Sequence, residues 1–341
     1  MGVDLGEVVQ KEEIGFDSLK GRILGIDSFN IIYQFLSTIR SRDGSPLMDS
    51  RGRITSHLTG LLYRTVNLVE KDIKPVFVFD GKPSELKEKT REERHRIRTE
   101  ARKKYEKAQK EGKLEEARRY GQQAVSLSKE MVSESKKLAE LMGFPVVQAP
   151  GEGEAQVSFM CAKGDVHACV SQDYDPLLFG SPLLLRNLTV TGRKKVPGKD
   201  LYIEVKPEKI ELEKTLSALG IDRKKLVWVA MLIGTDFNEK FPGIGPKTAL
   251  KLVKEHASFG DIIAKTKHKP GFDYREIEKI FLEPRHTEDY SLEFGAPHSE
   301  ELKKFLCDER DFSRERVEKA IERITLKAEQ KGVQARLDSW E

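Results

Sequence analysis

The sequence is poor in the features that mark several whole classes of protein. It has three cysteines, Cys161, Cys169 and Cys307. Scattered and odd in number, they make neither a disulfide framework nor a zinc site, and they fit a reducing compartment. No apolar run approaches the roughly 20 residues of a membrane span. The N-terminus lacks the pattern of a signal peptide, so a cytoplasmic location and no membrane partner are expected. The seven histidines show no paired metal-binding spacing. Four asparagines beside 34% charged residues is a composition that leans towards a thermophile. A dominant sign of charge is missing too: 60 Lys and Arg against 56 Asp and Glu leave only +4. Where the charges fall therefore matters more than their sum. The 341 residues suffice for one large domain or two ordinary ones.

What is present begins with four β-type runs, 22-RILGID-27, 75-PVFVFD-80, 144-FPVVQAP-150 and 167-HACVSQD-173. Continuous apolar runs of this kind suit parallel strands covered on both faces. Helical patterns separate them, among them 57-HLTGLLYRTVNLVEK-71 and 153-GEAQVSFMCAKG-164, the second closing on Gly164 as a C-cap. The alternation predicts an α/β fold with a mainly parallel central sheet flanked by helices.

Carboxylates collect at the ends of these runs. Asp27 and Asp80 close two strands, Glu152 and Glu154 follow the third, and Asp173 and Asp175 follow the fourth. A seventh, Asp236, lies in GTDFN after the apolar helix 225-KLVWVAMLIG-234. Alone, the pair Glu152 and Glu154 reads as a solvated turn entering a helix. Together the acids fall beyond the carboxyl ends of strands, where open α/β sheets form their sites, and their mutual repulsion calls for cations. Oxygen-only ligation selects Mg²⁺, with Mn²⁺ as a substitute, over zinc. So many acids suit two ions, the arrangement that serves in-line phosphoryl displacement.

Between Lys82 and Lys137 the chain carries 18 Lys or Arg against 11 Asp or Glu. Lys87, Arg91, Arg94, Arg98 and Arg102 are spaced 4, 3, 4 and 4, which puts them on one side of a helix, while Glu88, Glu92, Glu93 and Glu100 project to the other. Segregated sign is what a polyanion-binding face requires. Lys87 and Arg94 begin close enough to Asp80 to stabilise charge developing on a phosphate. At 241-FPGIGPKTALKLVKEH-256 a Gly-x-Gly turn leads into an amphipathic helix. Gly243 and Gly245 admit a close backbone, and Lys247 and Lys251 add positive charge, a combination suited to a nucleic-acid phosphate backbone. The same turn is a candidate for holding a monovalent cation through carbonyl oxygens.

The segments GIDSFNIIYQFL, TSHLTGLLYRT, KPVFVFDGKP, APGEGEAQ, SQDYDPLLFG, IGTDFN and GIGPKTAL, at these spacings, resemble the flap endonucleases of the structure-specific 5′-nuclease (XPG/RAD2-type) family. The resemblance runs from MGVDLGEVV to QARLDSW. It implies a PIN-like 5′-nuclease fold with a helical arch and a helix-hairpin-helix-type motif. Implied roles follow by position: Asp27, Asp80, Glu152, Glu154, Asp173, Asp175 and Asp236 as two-metal carboxylates, and Lys87 and Arg94 as the basic pair on the helix that gates the site. Gly2, once Met1 is removed, is implied to lie at the site as the new N-terminus. Tyr33 reads on pattern equally as a core aromatic; only the resemblance assigns it to stacking on a base beside the scissile phosphate. The helices around 29–40 and 54–68 resemble a wedge that separates two duplex arms.

The implied organisation is a single nuclease domain over 1–325 and a tail over 326–341. The domain divides into an N-terminal region (1–105), an arch (82–137), an internal region (138–225) and a duplex-binding motif (226–260). In the tail, 334-QARLDSWE-341 resembles a sliding-clamp-binding peptide anchored by Gln334, Leu337 and Trp340. Glu341 stands where a second aromatic anchor belongs, which predicts weakened binding to the clamp, PCNA. The long basic tail of eukaryotic relatives is missing, pointing to an archaeal member. The resemblance thus implies a monomeric, Mg²⁺-dependent hydrolase of branched DNA. It would cut at the base of a 5′ flap in replication (Okazaki-fragment processing) and long-patch base excision repair, with 5′–3′ exonuclease activity beside it. A non-catalytic junction binder tethered to the clamp, and a bubble-cutting or ribonuclease relative, are the competing readings.

Overall fold

The four apolar runs become neighbouring strands of one sheet. The computed structural model describes residues 2–41, 43–189, 193–195, 202–266 and 270–338, the side chains of 193–195, 202–204 and 328–338 excepted. Its strands are β1 (Glu12–Glu13), β2 (Ile23–Asp27), β3 (Lys74–Phe79), β4 (Val146–Gln148), β5 (Ala168–Val170), β6 (Leu183–Arg186), β7 (Arg193–Lys195), β8 (Tyr202–Glu204) and β9 (Glu208–Glu211). Seven form a sheet in the order β1-β9-β6-β5-β2-β3-β4, while β7 and β8 pair apart. From β4 to β6 every pairing is parallel, and only the two pairings of β9, with β6 and with β1, are antiparallel at one edge. The sheet is mainly parallel, as expected, with an antiparallel rim that the apolar runs did not announce. β4 and β5 are shorter than the apolar runs that contain them.

Strand β3 shows how the core divides. Val76 and Val78 join one buried cluster, with Val157, Met160, Trp228 and Met231; Phe77 and Phe79 join another, with Leu24, Ile26, Leu61 and Phe305. Successive side chains of a strand point to opposite faces, so a wholly apolar strand supplies both layers. Full burial of a side chain such as Phe77 is worth about 2–3 kcal/mol.

The helices are α1 (Ser28–Thr38), α2 (Ser56–Glu70), α3 (Glu88–Lys110), α4 (Leu114–Gln123), α5 (Lys129–Leu141), α6 (Gly153–Lys163) and α7 (Asp175–Leu178). There follow α8 (Leu212–Leu219), α9 (Arg223–Ile233), α10 (Pro246–Glu255), α11 (Phe259–Thr266), α12 (Tyr274–Leu282), α13 (Ser299–Lys303) and α14 (Arg314–Asp338). Helix α6 lies tight on the sheet because Gly25 presents no side chain; a Cβ there would come within 2.6 Å of Val157 Cγ1. It ends at Gly164 in the left-handed conformation, φ 89°, the expected C-cap. Helix α3 buries only Ala101 and Ala108, so this highly charged helix is held mainly by α4 and by its ends. No helix among the described residues is long and apolar enough to cross a membrane.

Candidate active site

Asp27 is the last residue of β2, near the middle of the sheet, and serves as N-cap of α1 by accepting from Asn30 N–H at 3.2 Å. Asp80 follows β3 on the adjacent strand and accepts from Gly153 N–H at 2.8 Å. Gly153 opens α6, and a Cβ on it would come within 2.6 Å of Asp80 Oδ1. Glu152 is the N-cap of α6 without capping it through its side chain, which leaves the carboxylate free to reach outward. Glu154, in the first turn, accepts from Ser171 Oγ at 2.8 Å. Asp175 begins α7 and accepts from Val3 N–H at 2.8 Å. Asp236 sits in the turn after α9, where Thr235 and Asn238 bond at 2.7 Å.

Two cations from the arch complete the group. Lys87 Nζ donates to Glu152 and lies 3.6 Å from Asp236 Oδ2; Arg94 donates to Asp236. The Lys87 ammonium also stands 4.9 Å over the Phe237 ring. Burial draws the Lys87 ammonium down, but Glu152, Asp236 and Asp80 outweigh it and raise it further above its ordinary value. Burial raises Asp80 to about 6, reinforced by Glu152, and raises Asp175 to about 7, reinforced by Asp236 and Asp173. Asp27 and Glu154 are pushed well up by burial and by each other's neighbourhood of acids. Such shifts are what like charges in a dry site produce, and a bound cation relieves them.

The donor set fits a hard divalent cation: oxygen throughout, several carboxylates raised by burial and by one another, and no imidazole or thiolate among them. Among the described residues no three acidic, His or Cys side chains close on one point as a ready-made metal cage. Lys87 and Arg94 instead neutralise the outer acids, Glu152 and Asp236.

The remaining expected residues divide by place. Gly2 touches the site: a Cβ there would meet Asp175 Oδ1 at 2.6 Å and Asp173 Cβ at 2.8 Å. Tyr33, on α1, is half-buried with the Arg98 guanidinium 5.0 Å over its ring. Arg91 is exposed on α3, and Arg102 pairs with Glu106 at 3.3 Å. Gly243 has φ 73°, which glycine alone adopts freely. Gly245 is extended, caps α10, and has nothing within 4 Å of where a Cβ would stand. Lys247 and Lys251 are exposed, Lys251 being 3.8 Å from Glu255. The side chains of Gln334 and Leu337, and Trp340 altogether, lie outside the described residues.

Three contributors were missed in the sequence. Asn30 Nδ2 donates to Asp173 at 3.0 Å while its Oδ1 accepts from Gln172 N–H at 3.1 Å. Ser171 donates to Glu154, and the Val3 amide holds Asp175. The signal for Asn30 was its place three residues after Asp27, in the first turn of a helix that starts at the site.

The comparisons with known proteins decide the family. Residues 4–101 match the XPG N-terminal domain and residues 143–236 the XPG I-region. The Flap endonuclease 1 of Pyrococcus abyssi is 52% identical over 341 residues, covering 100% of this chain and 98% of its own. This chain belongs to the flap endonuclease family. The Flap endonuclease 1 of Methanosarcina barkeri is 50% identical over 343 residues, with 100% of both chains covered. Among solved structures, flap endonuclease-1 from Methanococcus jannaschii superposes with a TM-score of 0.77 at 42% identity, covering 97% of this chain and 100% of its own. The catalytic core of Rad2 in complex with DNA substrate shares the fold, with a TM-score of 0.69 at 22% identity over 95% of this chain and 100% of its own. The family's α/β nuclease fold is therefore the fold of this chain, and the chain is a nuclease of the XPG type.

Proposed function

We propose that this protein hydrolyses a DNA phosphodiester at the base of a 5′ flap and leaves a ligatable nick. The observation that carries this is the juxtaposition of acids and arch cations: Lys87 and Arg94 close over carboxylates from two separate elements, Glu152 at the start of α6 and Asp236 after α9. Two Mg²⁺ ions, or Mn²⁺ in their place, would be held by Asp27, Asp80, Glu152, Glu154, Asp173, Asp175 and Asp236. Bound there, they supply an activated water and charge neutralisation at the leaving oxygen.

The protein's own groups do the rest. Lys87 and Arg94 exchange their carboxylate partners for the scissile phosphate and stabilise its developing charge. Tyr33 offers its ring to the neighbouring base, in competition with Arg98. Gly2 keeps the space beside Asp173 and Asp175 narrow, and Arg91, Arg98 and Arg102 track the single strand along the arch. The open backbone at Gly243 and Gly245, with Lys247 and Lys251, grips duplex phosphates without reading sequence. Its carbonyl oxygens are the proposed seat of a monovalent cation.

The division into a nuclease domain (1–325) and a tail (326–341) belongs to the same proposal, as do monomeric action in the cytoplasm and 5′–3′ exonuclease activity. So do clamp (PCNA) binding through Gln334, Leu337 and Trp340, and roles in Okazaki-fragment processing and long-patch repair. The test is Asp175→Ala: flap cleavage is abolished while flap DNA is still bound. Normal cleavage by that variant would overturn the site.

A further inference from the structure

Between α12 and α13, residues 283–298 form no helix or strand, yet they are fastened to the body at many points. Gly295 N–H donates to Gly143 C=O at 2.9 Å and His298 N–H to Leu141 C=O at 2.8 Å. The first half of this strap runs along α6. Phe159 stacks on His286 with centroids 3.9 Å apart, Lys163 lies 3.7 Å from Glu288, and the Tyr290 hydroxyl donates to Asp165. The most buried of these contacts is Gln156, which has no exposed surface. Its Nε2 donates to Thr287 C=O at 2.9 Å and its Oε1 accepts from Thr287 N–H at 2.8 Å, so one side chain satisfies both main-chain groups of a single strap residue.

The same residue is bonded to the site. The main-chain N–H of Gln156 donates to Glu152 C=O at 3.2 Å, the first hydrogen bond of α6. On the other side of Glu152, the Cβ of the strap's Arg285 lies 3.9 Å from where a Gly151 Cβ would stand, so the strap passes beside this turn. Glu152 thus lies between two residues tied to or near the strap; its carboxylate makes no capping bond to α6 and takes the Lys87 ammonium as its partner, so the placement of its main chain sets where that pair stands. A buried amide that joins a structureless segment to the turn carrying a functional acid does more than fill space, since leaving both Thr287 groups unpaired would shift that turn.

We propose that Gln156 is a positioning residue: by clasping Thr287 it makes the strap a support for Glu152, and so for the carboxylate set. This rests on the site reading given above. Gln156→Leu keeps the size and removes both hydrogen bonds. Gln156→Glu keeps only the bond from Thr287 N–H and is the milder variant should the first not fold. Phe159→Ala loosens the strap one turn further along α6, away from the acids.

The experiment titrates Mn²⁺ into each variant by calorimetry, without DNA, and measures cleavage of a flap substrate against Mg²⁺ concentration at a temperature where all are folded. The expected result is a Mn²⁺ affinity about tenfold weaker for Gln156→Leu, the effect typical of groups that orient a metal's ligands. The Mg²⁺ requirement should rise in parallel, the affinity for flap DNA should stay unchanged, and Gln156→Glu should fall between. Phe159→Ala should lose stability and keep the parent's metal dependence. If Gln156→Leu only melts earlier, or if Phe159→Ala shifts metal dependence equally, the proposal is overturned. Glu152→Gln is the reference: should it too leave Mn²⁺ binding unmoved, the fault lies in the site assignment and not in the clasp alone.

Discussion

Lys87 donates to Glu152 across 65 residues of sequence, joining the base of the arch to the N-cap of α6. A cation at that place, raised above its ordinary pKa by three acids, is a fixed positive charge at the edge of the site. Truncating Lys87 to Ala should slow single-turnover flap cleavage by about 10²–10³-fold, as removing one transition-state donor does elsewhere. Binding of the uncut substrate should change little, and Arg94→Ala should behave alike. A loss confined to binding would place both residues in substrate capture instead.

The acids predict an inverted pH dependence of stability. Asp80 at about 6 and Asp175 at about 7 lie above their ordinary 3.8, so between roughly pH 4 and 7 the folded protein holds more protons than the unfolded. Stability from these groups is therefore greatest at low pH and falls as pH rises through 6–7. Denaturant unfolding with chelator should give a lower stability at pH 8 than at pH 5.5. Mg²⁺ should restore more at pH 8, where no proton competes for the carboxylates.

Far from the acids, Glu134 accepts from His57 at 2.9 Å and from Arg310 Nε and Nη2, linking α5, α2 and the segment before α14. Burial would raise this carboxyl, but the His57 and Arg310 bonds outweigh it and hold it below its ordinary value. Its stabilisation is present above about pH 4.5 and is lost as pH falls further, the opposite sense to the acids above. Glu134→Ala leaves a half-buried arginine unpaired and should cost about 3 kcal/mol in denaturant unfolding. Cleavage per folded molecule should be unchanged.

The hairpin glycines separate folding from binding. Gly243→Ala must adopt φ 73° and should lose about 1 kcal/mol of stability. Gly245→Ala meets open space in an extended conformation and should fold as the parent does. Yet its methyl would stand where a phosphate backbone approaches, and duplex affinity should drop about tenfold, near 1.4 kcal/mol. Lys247→Ala should lower the slope of log affinity against log salt by about one. An unchanged affinity for Gly245→Ala would remove the hairpin from the DNA interface.

How much was legible beforehand followed the range of each interaction. Asp27 and Asp80 end apolar runs, and a parallel sheet brings such ends to one edge whatever the intervening chain does, so the gathering of these two acids could be read from strand ends. Helical phase likewise brought Lys87 and Arg94 to one face of the arch. The antiparallel rim was hidden because β1 is two charged residues long and β9 reads Glu-Lys-Ile-Glu, neither with an apolar pattern. The Val3–Asp175 bond spans 172 residues and the Gln156–Thr287 clasp 131, and no local periodicity encodes either. The strap has no regular element at all, so its role appears only once α6 is in place beside it.

The most direct test of the whole account is cleavage of a double-flap DNA labelled at its 5′ flap end, with Mg²⁺ and with chelator, beside a plain single strand. The account predicts one short product cut near the junction, dependent on metal and absent for the single strand. Binding of the flap DNA without cleavage in either Mg²⁺ or Mn²⁺ would contradict it and leave the gathered carboxylates without a reaction.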